Sequence, residues 1–505
     1  MEKQEHKTKE VALLFGTFII AICGLIYELI EGTLSSYLLG DSIYHFSLVI
    51  GLFMSSMGIG AWLSRFIETD LEAAFVKLQL AIAIIGGFSA FILFFAFAYI
   101  DNYDAFLYLT TILLGTMLGI EIPLIVRILQ ESFSLKTNIS NVFTVDYIGA
   151  LFASLLFPLV LVPKLGLMQT SFLFGMMNLF VGTMAWYIFK NILGRRYIIY
   201  LLSVFIILLL GFWNASNLTT MIENKLYKND IIFKEQTAYQ KLVITAHNGR
   251  IQFYINGAIQ FDTIDEHRYH ESLVHPAMMN SPIHEKVLIV GGGDGMALRE
   301  VLKYDDVEQV TLVDLDPAIT TLFKENAKLS KLNNHAYSSP KVTVVNQDAW
   351  KYIENATVLY DVIILDLPDP NNISLSRLYS QTFYEVLKKQ LSLTGVIVTQ
   401  ASSPLFTRKA FWSVKKSIEA TGLKVQAYHT YVPSFGEWGF VLAGNFAPKF
   451  NDKKLIEGLK YLTPKQLEKM TVFAKDMDEV TVEANRLSTH RLIEYYDEGW
   501  EKWYD

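Results

Sequence analysis

The stretch 287–300 reads VLIVGGGDGMALRE, and residues 366–370, some seventy positions later, read DLPDP. The first is an apolar strand that runs into a glycine-rich turn and opens a helix. The second is the end of another strand, with Asp366 and Asp369 three residues apart. At Gly291 and Gly293 the backbone can turn sharply and approach a ligand with no Cβ in the way. Around these two stretches, apolar runs at 286–291, 309–314, 341–346, 360–365 and 394–400 alternate with helical segments. Such alternation predicts a doubly wound, Rossmann-like, mainly parallel sheet. Ligands of these sheets sit beyond the carboxyl ends of the strands.

The residues expected at those ends are acidic. Asp294 follows the first strand, Asp314 and Asp316 the second, Asp348 the third, and Asp366 and Asp369 the fourth. A dinucleotide fingerprint would need glycine where Met296 stands. Asp314 lies about twenty residues beyond Gly293, the distance at which an acid reaches ribose hydroxyls. Dehydrogenases and enzymes that use S-adenosyl compounds share that spacing. Asp366 and Asp369 could clamp an amine, activate it or bind a metal; with no histidine or cysteine cluster beside them, a metal is the lesser reading. An amine resembling that of lysine has a pKa near ~10.4, so freeing its lone pair at pH 7 costs ~4 kcal/mol. A carboxylate that accepts the proton at the point of attack answers that need.

Between 229 and 262, β-prone runs alternate with the tight turns His247-Asn248-Gly249 and Asn256-Gly257. Asn-Gly between such runs predicts hairpins, because both turn residues need positive φ. A small antiparallel subdomain of about three strands is expected there, followed by a helix in TIDEHRYHESLVHPAMM.

The first two hundred residues differ in kind. Hydrophobic residues make up 52% of the 505 and charged residues only 18%, against a usual ~25%, and the deficit is concentrated in 11–213. Seven apolar stretches there, 11–30, 47–64, 79–100, 105–126, 143–162, 167–189 and 197–213, are long enough to cross a bilayer. Small residues four apart, Gly51/Ser55 and Ser56/Gly60, suit close helix packing. Glu121, Glu28 and Asp146 are ionisable residues in or near spans, where function is the default hypothesis. Lys3, Lys7 and Lys9, then Arg65, Lys77, Arg127, Lys136, Lys190, Arg195 and Arg196, fall on one side, against Lys164 on the other. That bias places the N-terminus in the cytoplasm. Seven crossings would then carry the C-terminal half outside, against its cytosolic chemistry, unless 32–46 adds a re-entrant or spanning piece. The net charge of -7 argues against a nucleic-acid partner and fits a cationic substrate. Cys23 is the single cysteine, so no disulfide forms within one chain.

The sequences GAIQFDTIDEHRYHE, VLIVGGGDGMALREV, VTLVDLDP, YDVIILDLPDP, RLYSQTFYE and TYVPSFGEWGF together resemble the spermidine synthase family, the polyamine aminopropyltransferases. The resemblance runs from about Phe233 to Gly444, and the apolar prefix resembles the membrane-attached bacterial members. It implies a Rossmann-like sheet of the S-adenosyl-dependent transferase type. It also implies transfer of an aminopropyl group from decarboxylated S-adenosylmethionine, a co-substrate, to putrescine, giving spermidine and 5′-methylthioadenosine with no cofactor or metal. Carried onto this chain, Asp366 is the general base and Tyr269 places the amine. Asp369, Tyr431 and Gln260 line the acceptor side. Asp294 meets the donor's aminopropyl amine, between donor and acceptor. Asp314 takes the ribose hydroxyls and Asp348 the adenine amino group, while Gln240, His270, Gly291 and Gly293 complete the donor site. Asp314 stands where the family more often has glutamate, and the loop NNISLSR lacks its usual Gly-Pro character, which leaves room for a longer acceptor. Family members commonly assemble, so a homo-oligomer is expected. A methyltransferase on the same sheet and a membrane transporter or sensor for polyamines are the alternatives. The domains expected are a multi-span bundle at 1–213, a β-rich subdomain at 214–282, the Rossmann-like domain at 283–450 and a helical tail at 451–505.

Overall fold

The structure, a computed structural model, describes residues 2–39, 43–100, 102–130, 135–450 and 455–504. The chain divides between Asn229 and Asp230 into two compact units.

The first unit is helical: α1 (Glu2–Leu39), α2 (Ile43–Leu63), α3 (Leu71–Tyr99), α4 (Tyr103–Leu129), α5 (Leu135–Leu156), α6 (Val162–Ile188) and α7 (Arg196–Leu226). Six stretches in it are long and apolar enough to cross a membrane, not seven, because Ile139–Ile188 forms one stretch of 50 residues. At ~1.5 Å per residue its length is ~75 Å, more than twice a ~30 Å hydrocarbon core. It breaks at Gly166, where φ is 72° and ψ 175°, between the two segments read from the sequence. Residues 32–39 simply continue α1 and 43–46 open α2, so 32–46 adds no further crossing; 40–42 lie outside the described residues.

The last helix outruns its expected end at 213. Asn214, Thr219 and Thr220 each bond a carbonyl four residues back, at 2.8, 2.9 and 2.8 Å, and the helix continues to Leu226. Of the small-residue pairs, Ser56 and Gly60 are buried where α2 meets α4, whereas Gly51 and Ser55 are exposed. At Gly119 an added Cβ would lie 2.1 Å from the Met57 carbonyl oxygen. Gly119→Val is therefore expected to force α2 and α4 apart at a cost of at least ~1–3 kcal/mol, read as a lower Tm of the detergent-solubilised protein. Gly51→Val, with nothing within 4 Å of its Cβ, serves as the silent control.

The second unit opens with an antiparallel sheet in the order β1 (Asp230–Gln236), β2 (Lys241–His247), β3 (Arg250–Ile255), β4 (Ala258–Asp262). There are four strands rather than three. Asn248 and Gly249 (φ 49° and 81°) and Asn256 and Gly257 (φ 50° and 84°) make its two tight turns. Helix α8 (Glu266–Asn280) leads into β5 (Lys286–Gly291), α9 (Met296–Val301), β6 (Gln309–Asp314) and α10 (Pro317–Glu325). The sheet is then built by β7 (Val342–Asn346), β8 (Tyr360–Asp366), β9 (Leu391–Gln400), β10 (Lys424–Val432) and β11 (Gly436–Gly444). The order is β10-β11-β9-β8-β5-β6-β7. The five strands from β9 to β7 run parallel, and β11 and β10 form an antiparallel edge.

Val287, Leu288, Ile289 and Val290 are wholly buried, as a central strand covered on both faces requires. The chain leaves β5 toward β6 on one side and returns as β8 on the other, which opens a crevice at the carboxyl ends of β5 and β8. Beyond β11 the chain forms helices Pro464–Met470 and Arg491–Tyr504 with non-helical chain between them, so the expected helical tail is helical only in part. Glu271 of α8 anchors it, accepting the backbone N–H groups of Lys460, Tyr461 and Leu462 at 2.7, 2.9 and 3.0 Å.

Candidate active site

The glycine turn after β5 lies directly against β8. Gly291 has φ +79°, and a Cβ there would sit 2.2 Å from the Asp366 carbonyl oxygen; the Gly292 N–H donates to that same oxygen at 2.9 Å. Gly293 donates its N–H to Asp314 Oδ2 at 3.1 Å. The turn therefore brings the ends of β5, β6 and β8 to one point. Tyr337 Oη, donating to the Gly293 carbonyl at 2.6 Å, and Asn333, donating to the Asp294 carbonyl at 3.0 Å, hold it from behind.

Over this turn α8 presents Tyr269 and His270. Tyr269 Oη donates to Asp366 Oδ1 at 2.8 Å, and its ring packs against Phe435 and Phe440. A ring nitrogen of His270 and carboxylate oxygens of Asp294 and Asp366 all lie within 4.8 Å of one another. Four residues singled out from the sequence thus meet in one buried group. Burial pushes the Asp294 and Asp366 carboxyls above the usual range, against the pull of His270. Burial disfavours the His270 cation too, but the Glu266 carboxylate at 2.9 Å outweighs it and lifts the imidazole to about 9.

One nitrogen and two carboxylates are a donor set that could hold a divalent ion, and the histidine that the sequence did not place beside the aspartates is brought there by α8. The Glu266 contact favours the protonated imidazole, which donates hydrogen bonds. Glu266 is itself clamped by Arg299, through two bonds of 3.0 and 2.8 Å. Burial raises it, yet His270 and Arg299 bring it down to about 2. Glu266 and Arg299 escaped the sequence reading, although Glu266 and His270 stand one helical turn apart, the spacing at which such pairs meet.

The folded His270 value, about 9, lies above the unfolded ~6.5. Its contribution to stability is therefore complete below pH ~6.5, declines as pH rises, and is gone past about 9. In magnitude it is ~3 kcal/mol. The Tm of the solubilised protein should fall across this window, and His270→Gln should flatten that fall; equal slopes in the two proteins would contradict it.

The remaining rim residues are held differently. Asp314 also accepts the Asp316 N–H at 2.9 Å, and burial carries it up to about 6. Gln240 donates to Asp316 Oδ2 at 3.0 Å, which fixes it beside the Asp314 end of the rim. Asp348 caps the helix Ala349–Asn355 and pairs with Arg377, a partner the sequence reading did not foresee. Asp369 accepts from Tyr496 Oη at 2.9 Å, Ser402 Oγ at 3.3 Å and Gln400 Nε2 at 3.5 Å. Burial outweighs these bonds and raises Asp369 to about 6.

Two expected site residues are not joined to the cluster. Gln260 donates to the Ala258 carbonyl on its own strand, at 3.1 Å. The Tyr431 side chain is 52% exposed on β10, and only its backbone carbonyl is engaged, by Arg268 at 3.0 Å.

Comparison with known proteins places this arrangement. Residues 266–452 match the spermine/spermidine synthase domain. A polyamine aminopropyltransferase of Leptospira interrogans serogroup Icterohaemorrhagiae serovar copenhageni is 44% identical over 497 residues, covering 98% of this chain and 99% of that one. Polyamine aminopropyltransferase 2 of Ralstonia nicotianae is 43% identical over 500 residues, covering 97% and 98%. The solved spermidine synthase in complex with the transition state analogue AdoDATO is 26% identical, with a TM-score of 0.45, over 49% of this chain and 88% of that chain. The two relatives match across both units of the chain, which belongs to the polyamine aminopropyltransferase family.

Proposed function

We propose that the chain transfers the aminopropyl group of decarboxylated S-adenosylmethionine to a diamine, putrescine or a longer homologue, and releases 5′-methylthioadenosine. The observation that carries this reading is Asp366 at the crevice between β5 and β8, with one oxygen bonded to Tyr269 Oη at 2.8 Å. That bond leaves Oδ2 to take the proton of the attacking ammonium. The amine lone pair forms a C–N bond at the carbon next to the sulfonium, the C–S bond breaks, and its electron pair stays on sulfur as a neutral thioether. The displacement needs no metal and no oxidant, so positioning supplies most of the rate.

Asp294 and Asp369 have ammonium groups to meet, and Asp314 and Asp348 neutral hydrogen-bond donors. Asp294 faces the amine of the aminopropyl arm, where the carboxylate of intact S-adenosylmethionine would be repelled. Asp369 holds the far amine of the acceptor, Asp314 the ribose hydroxyls and Asp348 the adenine amino group once Arg377 yields it. A methyltransferase on the same sheet would bind intact S-adenosylmethionine, whose carboxylate the buried Asp294 would repel.

The apolar helices of the first unit support a lipid bilayer as its surroundings; a nucleoside donor argues for the cytoplasmic side for the catalytic unit, whereas the loop charges with seven crossings argue for the opposite side. Cation binding requires the ionised Asp294 and Asp369, which are present above pH about 6 and lost as pH falls through it. We expect kcat/KM for the diamine to drop at least tenfold per pH unit below 6. Ordinary aspartates, at ~3.9, would keep the profile flat to pH ~4.5, and that result would contradict the reading.

A further inference from the structure

The helical unit buries a seam of polar side chains that the transfer chemistry does not use. Tyr27, Glu31 and Ser35 recur every four residues on α1, so they share one face, and all three are wholly buried. Tyr27 Oη donates to Asn178 Oδ1 of α6 at 3.2 Å, and Asn178 Nδ2 donates to Gln79 Oε1 of α3 at 3.0 Å. Gln79 Nε2 in turn donates to Glu121 Oε1 of α4. Four helices are stitched by one hydrogen-bonded line, but it uses only one oxygen of Glu121; Oε2 is buried with no partner among the described residues.

Next along the α1 face, among the described residues, neither oxygen of Glu31 has a partner within hydrogen-bonding distance and angle, and neither does Ser35 Oγ or the neighbouring Tyr103 Oη. Thr111 lies beside Glu31, yet its hydroxyl proton goes to the Leu107 carbonyl at 2.8 Å. A carboxyl in this position is costly to bury. Protonating Glu31 would let its O–H turn to the Thr111 oxygen, but the second carboxyl oxygen would stay without a donor. A divalent metal ion wants six or more oxygen ligands in its shell, commonly with several waters among them. A primary ammonium instead brings three N–H donors and one positive charge, and its alkyl chain suits the wholly buried Ile30, Leu34 and Leu107 nearby.

We infer that Glu31 anchors a second binding site, within the helical unit, for an alkylammonium cation, with the Ser35 and Tyr103 hydroxyls beside it and the free oxygen of Glu121 further along the seam. The choice of spermidine as the probe rests on the transfer reaction proposed above; the site itself does not. The test is equilibrium dialysis of the full chain in detergent against labelled spermidine, with 5′-methylthioadenosine release measured on the same samples. Glu31→Gln is expected to lower the bound spermidine by one per chain relative to wild type and to leave turnover within twofold.

Ser35→Lys places an ammonium one turn from Glu31, within reach of it. It should fill the site from inside the chain and lose the same one equivalent, which keeps the test open if the neutral variant misfolds. Methylammonium should displace that equivalent from wild type, and millimolar Mg²⁺ should not. Unchanged stoichiometry in both variants, or displacement by Mg²⁺ but not by methylammonium, would overturn the inference. Absent turnover in wild type would bear on the transferase reading alone.

Discussion

Replacing Asp366 by Asn is expected to lower kcat by 10³–10⁴-fold while leaving affinity for the donor nearly unchanged. Asparagine keeps the shape, and its amide oxygen can still accept from Tyr269 Oη, now 2.8 Å from Asp366 Oδ1. It cannot take a proton. The amine must then lose its proton to water, with the ~4 kcal/mol for deprotonation at pH 7 no longer offset locally. General-base contributions of 10²–10⁴ are usual, and the upper part of that range applies because burial has already raised Asp366 toward the amine. The check is single-turnover kinetics beside donor binding by calorimetry. A variant that loses donor binding and rate in parallel would make Asp366 a structural residue.

Asp294→Asn is expected to cost 10²–10³-fold in kcat/KM for the donor and to narrow the preference for decarboxylated over intact S-adenosylmethionine. Asp294 is 8% exposed and accepts the Met296 N–H at 2.9 Å, a bond that asparagine can keep through its oxygen. The lost element is the charge opposite a buried ammonium. Stripping one partner from a buried ion pair costs ~3–5 kcal/mol. Removing the charge also relieves the repulsion that would exclude a donor carrying a carboxylate. Inhibition constants for the two nucleosides, measured on wild type and variant, give the ratio; an unchanged ratio would remove Asp294 from donor selection.

The rim of the sheet was legible because strand, glycine turn and following acid are local. Gly291, Asp294, Asp314 and Asp366 each sit at a strand end whose apolar run announces it, and the Asn-Gly turns declare their own φ. The partners that tune those acids were less legible. Arg299 meets Glu266 across 33 residues, and Tyr496 meets Asp369 across 127. The tail that carries Tyr496 has no motif, so only the fold could bring it there. Gln260 and Tyr431 came from resemblance rather than from any local pattern, and neither side chain is hydrogen-bonded to the cluster. In the helical unit the boundary was set at 213, where the apolar run ends, whereas the Asn214 and Thr219 side chains bond back to their own helix and let it continue.

The most direct test of the central claim is product analysis with the purified full-length protein, decarboxylated S-adenosylmethionine labelled in the aminopropyl arm, and a panel of diamines and longer amines. Label is expected to move to an acceptor nitrogen in equal amount to the 5′-methylthioadenosine released, and Asp366→Asn to slow both by the same 10³–10⁴-fold. Donor bound but label never transferred to any amine, or a methyl group moved from intact S-adenosylmethionine instead, would contradict it.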